Sequence, residues 1–174
     1  MANKRVRTPR KTKYKVQLPP WMEKTWEVLK KIGAVFASIG KFENFPYPGV
    51  GEALQQLKDQ GHRLFVATSK PEVMAKEVLE HFELSHYFDQ IAGATLDGSR
   101  SHKADVITYL LSLTGDVGQT LMVGDTAFDV IGAAAHGIPT LGVSWGYGQV
   151  QDMLDAGAFA IAHTMEEMVE LLNQ

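Results

Sequence analysis

Short apolar runs alternate with amphipathic stretches along the sequence from Val50 to the C-terminus. The apolar runs are four to six residues long and rich in Val, Ile, Leu and Ala, which is typical of strands buried on both faces of a sheet. The stretches between them have helical spacing. This alternation predicts an α/β fold, a doubly wound parallel sheet with helices on both faces and right-handed crossovers.

The pattern predicts strands at residues 63–68, 90–94, 120–123, 140–143 and 159–162, with helices between them and after the last strand. Ser69 with Glu72, and Thr164 with Glu167, have the spacing of capping boxes that open helices. Gly61 is predicted to end the first helix. Parallel sheets bind ligands beyond the C-terminal ends of their strands, so the residues that follow each strand are the candidates for a site.

Composition narrows the class of protein. The 174 residues are enough for one domain. A composition of 45% hydrophobic and 21% charged residues excludes whole-chain disorder. The absence of cysteine excludes disulfides, thiolate metal sites and a cysteine nucleophile, which fits a reducing compartment, and we expect a cytoplasmic protein. No apolar run approaches the roughly 20 residues that span a bilayer, so we expect no membrane partner.

Charge divides the chain into two parts. Residues 1–31 carry ten Lys and Arg against two Glu, a net charge of +8, whereas residues 32–174 have a net charge of −11. We expect a basic disordered tail at 1–13, an irregular segment at 14–44 and a core domain at 45–174. The basic arm leaves a nucleic-acid-associated protein as an alternative function, but it holds no recognised reader motif, and nucleic acid is not the expected partner.

Residues after the first two strands suggest an anion site. Thr68, Ser69 and Lys70 precede a predicted helix, where a hydroxyl and backbone N–H groups could hold phosphate, although such residues also serve as simple caps. Lys103 opens the next helix, where its charge opposes the helix dipole, so a partner anion would explain it; a solvated lysine is the alternative. Arg100 could contact the anion of a substrate.

Two carboxylates follow the third strand. Asp125 ends it and Asp129 lies four residues later, in the first turn of a helix. Carboxylates without His or Cys suit a hard cation, Mg²⁺ more than Zn²⁺, although Asp also favours helix N-termini for structural reasons. A hydroxyl, a lysine and a Mg²⁺ site together supply the positioning and charge neutralisation that phosphoryl transfer requires.

These motifs, in this order, resemble the haloacid dehalogenase (HAD) superfamily, and phosphoglycolate phosphatase-like hydrolases most of all. The resemblance rests on the segments LFVATSKPE, SHKAD and VGDTAFDVIGAAAHGIPTLGVSWGYG and covers about residues 40–174. It implies a Rossmann-like fold and Mg²⁺-dependent hydrolysis of small phosphorylated metabolites through a phospho-aspartyl enzyme. It also implies catalytic roles for Thr68 and Lys103, and a metal-side role for Asp125 and Asp129. Ser69, Lys70 and Arg100 are then the candidate substrate-binding residues.

The sequence departs from the family at the first motif. The family's nucleophile belongs to an Asp-x-Asp pair on the central strand, but no Asp precedes Asp59, and most of the usual cap is missing. We therefore expect weak or no activity from this chain, and a non-catalytic phosphate- or metal-binding relic is the alternative. Either Tyr14 to Leu18 fills the central strand, or residues 1–35 are unrelated sequence. A homo-oligomer or a complementing chain also stays open as a partner.

Overall fold

The computed structural model describes residues 45–115 and 117–173. The expectations for residues 1–13 and 14–44, including a filler strand at Tyr14 to Leu18, lie outside the described residues. All structural statements below concern the described part of the chain.

Helices and strands alternate through the described residues, as the sequence predicts. The strands are β1 (Phe65–Pro71), β2 (Gln90–Ala94), β3 (Met122–Gly124), β4 (Thr140–Val143) and β5 (Ala160–Ala162). The helices are α1 (Val50–Asp59), α2 (Glu72–His81), α3 (Lys103–Thr114), α4 (Ala127–Ala134), α5 (Val150–Asp155) and α6 (Met165–Leu172). A short 3₁₀ turn at Ser85–Tyr87 precedes β2.

All described strand pairs are parallel, which confirms the predicted α/β class. They form two sheets: β1 pairs with β2, and the second sheet has the order β3-β4-β5. Among the described residues no strand joins β1 to β3. The C-terminal ends of β1 and β3 nevertheless line the same cavity, so the two sheets meet at the ligand-binding edge.

The β3-β4-β5 sheet is covered on both faces. Leu141 and Val143 of β4 point to one face, while Gly142, between them, meets Met153 of α5 on the other. The first face packs against α1 and α6 in a core made of Ala53, Leu57, Leu141, Val143, Ala162, Met168 and Val169. All four residues of β4 are buried, because this strand has a neighbour on either side and a helix layer above and below.

Helix α3 covers the β1-β2 sheet. Val106 and Leu110, one turn apart on this helix, are buried against Ala92 of β2. This packing fixes the start of α3, and therefore Lys103, beside the C-terminal end of β1.

Two predicted helix ends agree with the structure. The Thr164 hydroxyl accepts from the Glu167 N–H at 3.1 Å, and Glu167 in turn accepts from the His163 N–H. Gly61 follows α1 with a left-handed φ of 88°, and its N–H donates to the carbonyl oxygen of Lys58.

One predicted cap is wrong. Ser69 and Lys70 continue strand β1, and α2 begins after Pro71 without a side-chain cap. Glu72 turns instead toward β2 and α3, where it bonds the Gly93 N–H and the Arg100 guanidinium. The Arg100 guanidinium binds the Glu72 carboxylate more strongly than a helix N–H would, because the guanidinium and the carboxylate are both charged.

The sequence analysis missed helix α5. Its six residues, Val150–Asp155, are too few for a clear helical period, and Met153 is its only buried residue. In the described part of the chain, no helix is both long and apolar enough to cross a membrane.

Candidate functional site

A cavity of about 360 Å³ opens at the C-terminal ends of β1, β3 and β4. Four of the sequence-predicted site residues line it, namely Thr68, Lys103, Asp125 and Asp129. They come from four separate elements or loops and meet because the strands are parallel and end at one edge. The structure therefore brings together the hydroxyl, the lysine and the two carboxylates that the sequence places at strand ends.

Lys103 is held by two partners. Its Nζ lies 2.7 Å from Asp129 Oδ1 and donates a 2.8 Å hydrogen bond to the carbonyl oxygen of Ala67. The side chains of Lys103 and Asp129 are only 12% and 7% exposed, so this ion pair is largely shielded from water. Of the two possibilities that the sequence left open for Lys103, the structure thus shows a partner anion, and it lies within the chain.

Asp129 is committed to structural contacts. Its Oδ2 accepts from the N–H groups of Asp125 and Thr126 and from the Thr126 hydroxyl, at 2.9–3.1 Å, while its Oδ1 faces Lys103. Burial raises the pKa of Asp129, but the Lys103 ammonium and the Thr126 hydrogen bonds outweigh burial and leave the pKa below its ordinary value. Asp129 is therefore a charged helix-capping residue that anchors Lys103.

Asp125 keeps an oxygen for the cavity. Its Oδ2 accepts from the Tyr147 N–H at 2.9 Å, whereas its Oδ1 accepts no hydrogen bond from the described residues. A carboxylate oxygen at a cavity wall is the donor that a hard cation prefers. The residues thus fit Mg²⁺ through Asp125, whereas both oxygens of Asp129 already have partners and its metal role stays a prediction. The described residues hold no group of three or more potential metal-ligating side chains.

Glycines set the packing of these charged groups. A Cβ on Gly146 would lie 2.2 Å from the Asp125 Cβ, and one on Gly124 would lie 2.3 Å from the Asp129 Cβ. A Cβ on Gly132 would lie 2.5 Å from the Lys103 Cγ. The sequence shows these glycines, but their role becomes visible only when distant segments meet.

Thr68 lies near the end of β1. Its Oγ1 accepts from the Lys70 N–H at 3.1 Å, which leaves the hydroxyl proton available to donate into the cavity. Ser69 is exposed, and neither Ser69 nor Lys70 is among the cavity-lining residues. Of the three residues predicted to bind an anion after this strand, Thr68, Ser69 and Lys70, only Thr68 lines the cavity.

Arg100 lies away from the cavity and serves the framework. Its Nε donates to the Gly93 carbonyl oxygen and its NH2 group to Glu72, both at 2.8 Å. Its guanidinium stacks 3.6 Å from the centre of the Tyr109 ring. These three contacts hold the guanidinium in the framework, and its contact with a substrate anion stays a prediction.

The cavity also lies between two strand edges that have no partner strand among the described residues. The Leu64 carbonyl oxygen accepts from the Asp89 N–H and therefore points toward β2. Because the backbone groups of successive strand residues point to alternate edges, those of Ala67, three residues later, point to the opposite edge. Met122 likewise donates to Pro139 on the β4 side, which directs the backbone of Val123 away from β4. Val123 is 37% exposed although it is the middle residue of β3.

Aromatic residues form the outer wall. Tyr47, Trp145 and Tyr147 line the cavity, and Tyr147 is 89% exposed. The sequence left open whether the Trp145 to Gly148 segment lines the site or packs its loop. The structure shows both, since Trp145 also packs against the α1–α6 core. Tyr47 was missed, because a tyrosine between two prolines carries no local signal of a site.

Comparison with known families decides the assignment. The family described as haloacid dehalogenase-like hydrolase matches residues 7–143, more than half of the sequence. The chain belongs to this family. The resemblance inferred from the three motifs is thereby confirmed, and the HAD phosphatase lineage with it.

Relatives of the HAD chain carry different activities in their names. A 5'-nucleotidase of Pseudomonas aeruginosa is 37% identical over 131 residues, which are 75% of this chain and 59% of that protein. The tyrosine-protein kinase PtkA of Mycobacterium tuberculosis is 39% identical over 154 residues, 87% of this chain and 53% of that protein. Phosphoglycolate phosphatases are among the further relatives. The chain thus spans about half the length of these curated relatives.

A solved structure confirms the fold. A predicted phosphatase from Clostridium acetobutylicum superposes with a TM-score of 0.80 at 40% identity, covering 87% of this chain and 70% of that one. The described strands and helices therefore have the HAD arrangement.

Proposed function

We propose that this chain forms the phosphate-binding core of a Mg²⁺-dependent phosphatase that acts on small phosphorylated metabolites. The observation that carries the proposal is that Thr68, Lys103 and Asp125 line one cavity at the strand ends. A hydroxyl donor, an ammonium group and a carboxylate with a free oxygen are complementary to a phosphate monoester and a cation.

The roles of the residues follow from their contacts. The Thr68 hydroxyl would donate to a phosphoryl oxygen, and the Lys103 ammonium, already oriented by Asp129, would offset the phosphate charge. Asp125 would hold Mg²⁺ through its free oxygen, with its other oxygen fixed by the Tyr147 N–H. A bound Mg²⁺ would supply charge neutralisation at the phosphoryl oxygens.

The attacking carboxylate is the missing part. Because no Asp precedes Asp59, the residues of this sequence do not supply the family's Asp-x-Asp pair, and we propose that the chain alone turns over phosphate esters weakly or not at all. A complementing strand is proposed to enter between β1 and β3, where the edges at Ala67 and Val123 have no partner strand among the described residues, although the Ala67 carbonyl oxygen accepts from Lys103. A second chain is the proposed source of this strand.

The first test is a phosphatase assay on purified, tag-free chain with p-nitrophenyl phosphate and Mg²⁺, in parallel with Asp125→Ala. We expect little or no turnover from either protein, with cooperative unfolding intact. Metal-dependent turnover at the usual rates of enzymes, about 1–1000 s⁻¹, that the Asp125→Ala variant lacks would contradict the weak-activity proposal.

The second test supplies the missing part. Fusion of an Asp-x-Asp strand and cap from an active HAD phosphatase to the N-terminal side of this core should create Mg²⁺-dependent turnover. Lys103→Met in the same fusion should abolish it. A folded fusion without activity would mean that Thr68, Lys103 and Asp125 no longer form a working site.

The absent Asp-x-Asp pair also favours a second candidate, a non-catalytic phosphate-binding relic. It predicts that orthophosphate binds and that this binding depends on Lys103, while no fusion restores turnover. The fusion experiment therefore separates the two candidates.

A further inference from the structure

The cavity is larger and more aromatic than a phosphate group requires. Its volume of about 360 Å³, part of which lies between β1 and β3, corresponds to roughly twelve waters at ~30 Å³ each, whereas orthophosphate has five heavy atoms. The charged groups of Lys103 and Asp125 occupy one part of the wall. Tyr47, Trp145 and Tyr147 occupy another, so a ligand held at the charged end has room to extend along the aromatic residues.

Tyr147 combines an exposed ring with a fixed backbone. Its N–H donates to Asp125 Oδ2, and the next residue, Gly148, donates to the Asp125 carbonyl oxygen at 3.0 Å. On the other side, Gly146 approaches Asp125 too closely to carry a Cβ. The ring is nevertheless 89% exposed, so the chain holds a large apolar surface in water immediately beside the carboxylate. Aromatic side chains in this position gain most by stacking against a planar ligand.

Tyr47 gives the wall a second ring. It is 46% exposed and lines the same cavity, just before α1 begins. Trp145 is half-buried against the core and closes the base of this wall. The site therefore offers aromatic contact area in addition to its phosphate-binding groups, whereas a small aliphatic phosphate would leave both tyrosine rings in water.

We propose that the site prefers phosphate monoesters whose alcohol part carries an aromatic ring, with the phosphate at Thr68, Lys103 and Asp125 and the ring against Tyr147 and Tyr47. This inference rests on the proposed function and names its substrate class. Nucleoside 5'-monophosphates and aryl phosphates share this chemistry, and the experiment distinguishes between them.

The test is equilibrium binding by titration calorimetry to the full chain in Mg²⁺, with ligands in matched pairs. Adenosine 5'-monophosphate is compared with ribose 5-phosphate, which lacks the base, and O-phosphotyrosine with O-phosphoserine, which lacks the ring. Ring stacking on an aromatic side chain predicts that the aromatic member of at least one pair binds about tenfold more tightly. The pair with the larger ratio identifies the source of the ring.

Variants locate the effect. Tyr147→Ala should remove most of the tenfold preference, while Tyr147→Phe should retain it. Phe128→Ala is the matched control, because Phe128 is 77% exposed but is not among the cavity-lining residues. Tyr47→Ala, read in the same way, keeps the test available if one variant fails to fold.

The outcomes separate the two proposals. Equal affinities within both pairs, with binding that still depends on Lys103, would overturn the aromatic preference and leave the phosphate site standing. An equal loss of the preference in Phe128→Ala would also overturn it. If no phosphate ester binds and Lys103→Met changes nothing, the proposed function itself fails.

Discussion

At the scale of single residues, glycines determine what the charged groups can do. Gly124, Gly132 and Gly146 each lie so close to a site residue that a methyl group would overlap it. Protein interiors are packed tightly enough that such overlaps force neighbouring atoms to move. The positions of Asp125, Asp129 and Lys103 are therefore fixed by residues that carry no functional group.

Gly146→Ala tests this packing. The new Cβ would lie 2.3 Å from Asp125 Oδ2, so we expect a loss of about 1–3 kcal/mol in the free energy of unfolding, measured by urea denaturation. The matched control is Gly51→Ala in α1, where nothing lies within 4 Å; there the helix should gain up to about 0.5–1 kcal/mol. Equal effects of the two substitutions would contradict the packing argument.

The Lys103–Asp129 pair makes a second residue-scale prediction. Lys103→Met leaves the buried Asp129 charge without its ammonium partner, so we expect a loss of about 3–5 kcal/mol. Lys103→Met combined with Asp129→Asn removes both charges and keeps an acceptor for the Thr126 N–H. The double variant should therefore lose less than the sum of the single losses, by about 1–3 kcal/mol in a thermodynamic cycle. Additivity within about 0.5 kcal/mol would show that the pair is not coupled.

At the scale of elements, one polar cluster ties β2, α2 and α3 together. The Arg100 guanidinium bonds Glu72 at the start of α2 and Gly93 in β2, and stacks on Tyr109 of α3. A Cβ on Gly93 would lie 2.6 Å from the Glu72 Cα, so the cluster also needs a glycine at this point of the strand. Because Lys103 opens α3, this cluster helps to set where the ammonium group lies.

The cluster should make stability depend on pH. Burial raises the pKa of Glu72, but hydrogen bonds from Lys76 and the Gly93 N–H, with the Arg100 charge, leave the pKa below its ordinary value. A group with a lowered folded-state pKa contributes stability above its unfolded pKa and loses it as the pH falls through the folded value. The stability difference between wild type and Glu72→Gln should be about 1–2 kcal/mol at pH 6–8 and shrink below pH 4.5.

Urea unfolding at a series of pH values measures this difference. Glu80→Gln, at an exposed position of the same helix, is the control and should show no such change. A difference for Glu72→Gln that stays constant down to pH 3 would show that the carboxylate charge is not what the cluster uses.

The sequence predicted elements better than it predicted contacts between them. The strand-end rule placed Thr68, Lys103 and Asp125 at one site because parallel strands must end at one edge. The ion-pair partner of Lys103 could not be predicted from the sequence, because Asp129 lies 26 residues away. The spacing between Asp129 and Asp125 suggested a shared cation instead. Helix α5 and the Glu72–Arg100 pair were missed for the same reason: their determinants are tertiary contacts and not local periods.

At the scale of the whole molecule, the described strands form two sheets that line one cavity. Among the described residues, no strand of one sheet pairs with a strand of the other. Strand β4 is buried along its full length, whereas no residue of β1 is fully buried. In a doubly wound sheet the middle strands are ordinarily the most protected. The burial pattern therefore agrees with the proposal that a further strand belongs between β1 and β3.

Hydrogen exchange tests this proposal directly. The Val66 and Met122 amides face paired neighbours, while those of Ala67 and Val123 face the space between the sheets. We expect the second pair to exchange at least about tenfold faster in the isolated chain, and to become protected in the fusion that supplies the Asp-x-Asp strand. Equal protection of all four amides in the isolated chain would show that both edges are already paired.

The close approach of Gly124, Gly132 and Gly146 to the charged side chains limits how this site can change in evolution. A side chain at Gly124, Gly132 or Gly146 would collide with Asp129, Lys103 or Asp125, so substitutions at these glycines should disturb the proposed phosphate-binding groups. Tyr47 and Tyr147 face open space and can be exchanged for residues of other sizes with little strain. If the proposed substrate class is right, changes of substrate should therefore arise more readily at Tyr47 and Tyr147 than at the glycines, and a directed-evolution library at these two positions would test this.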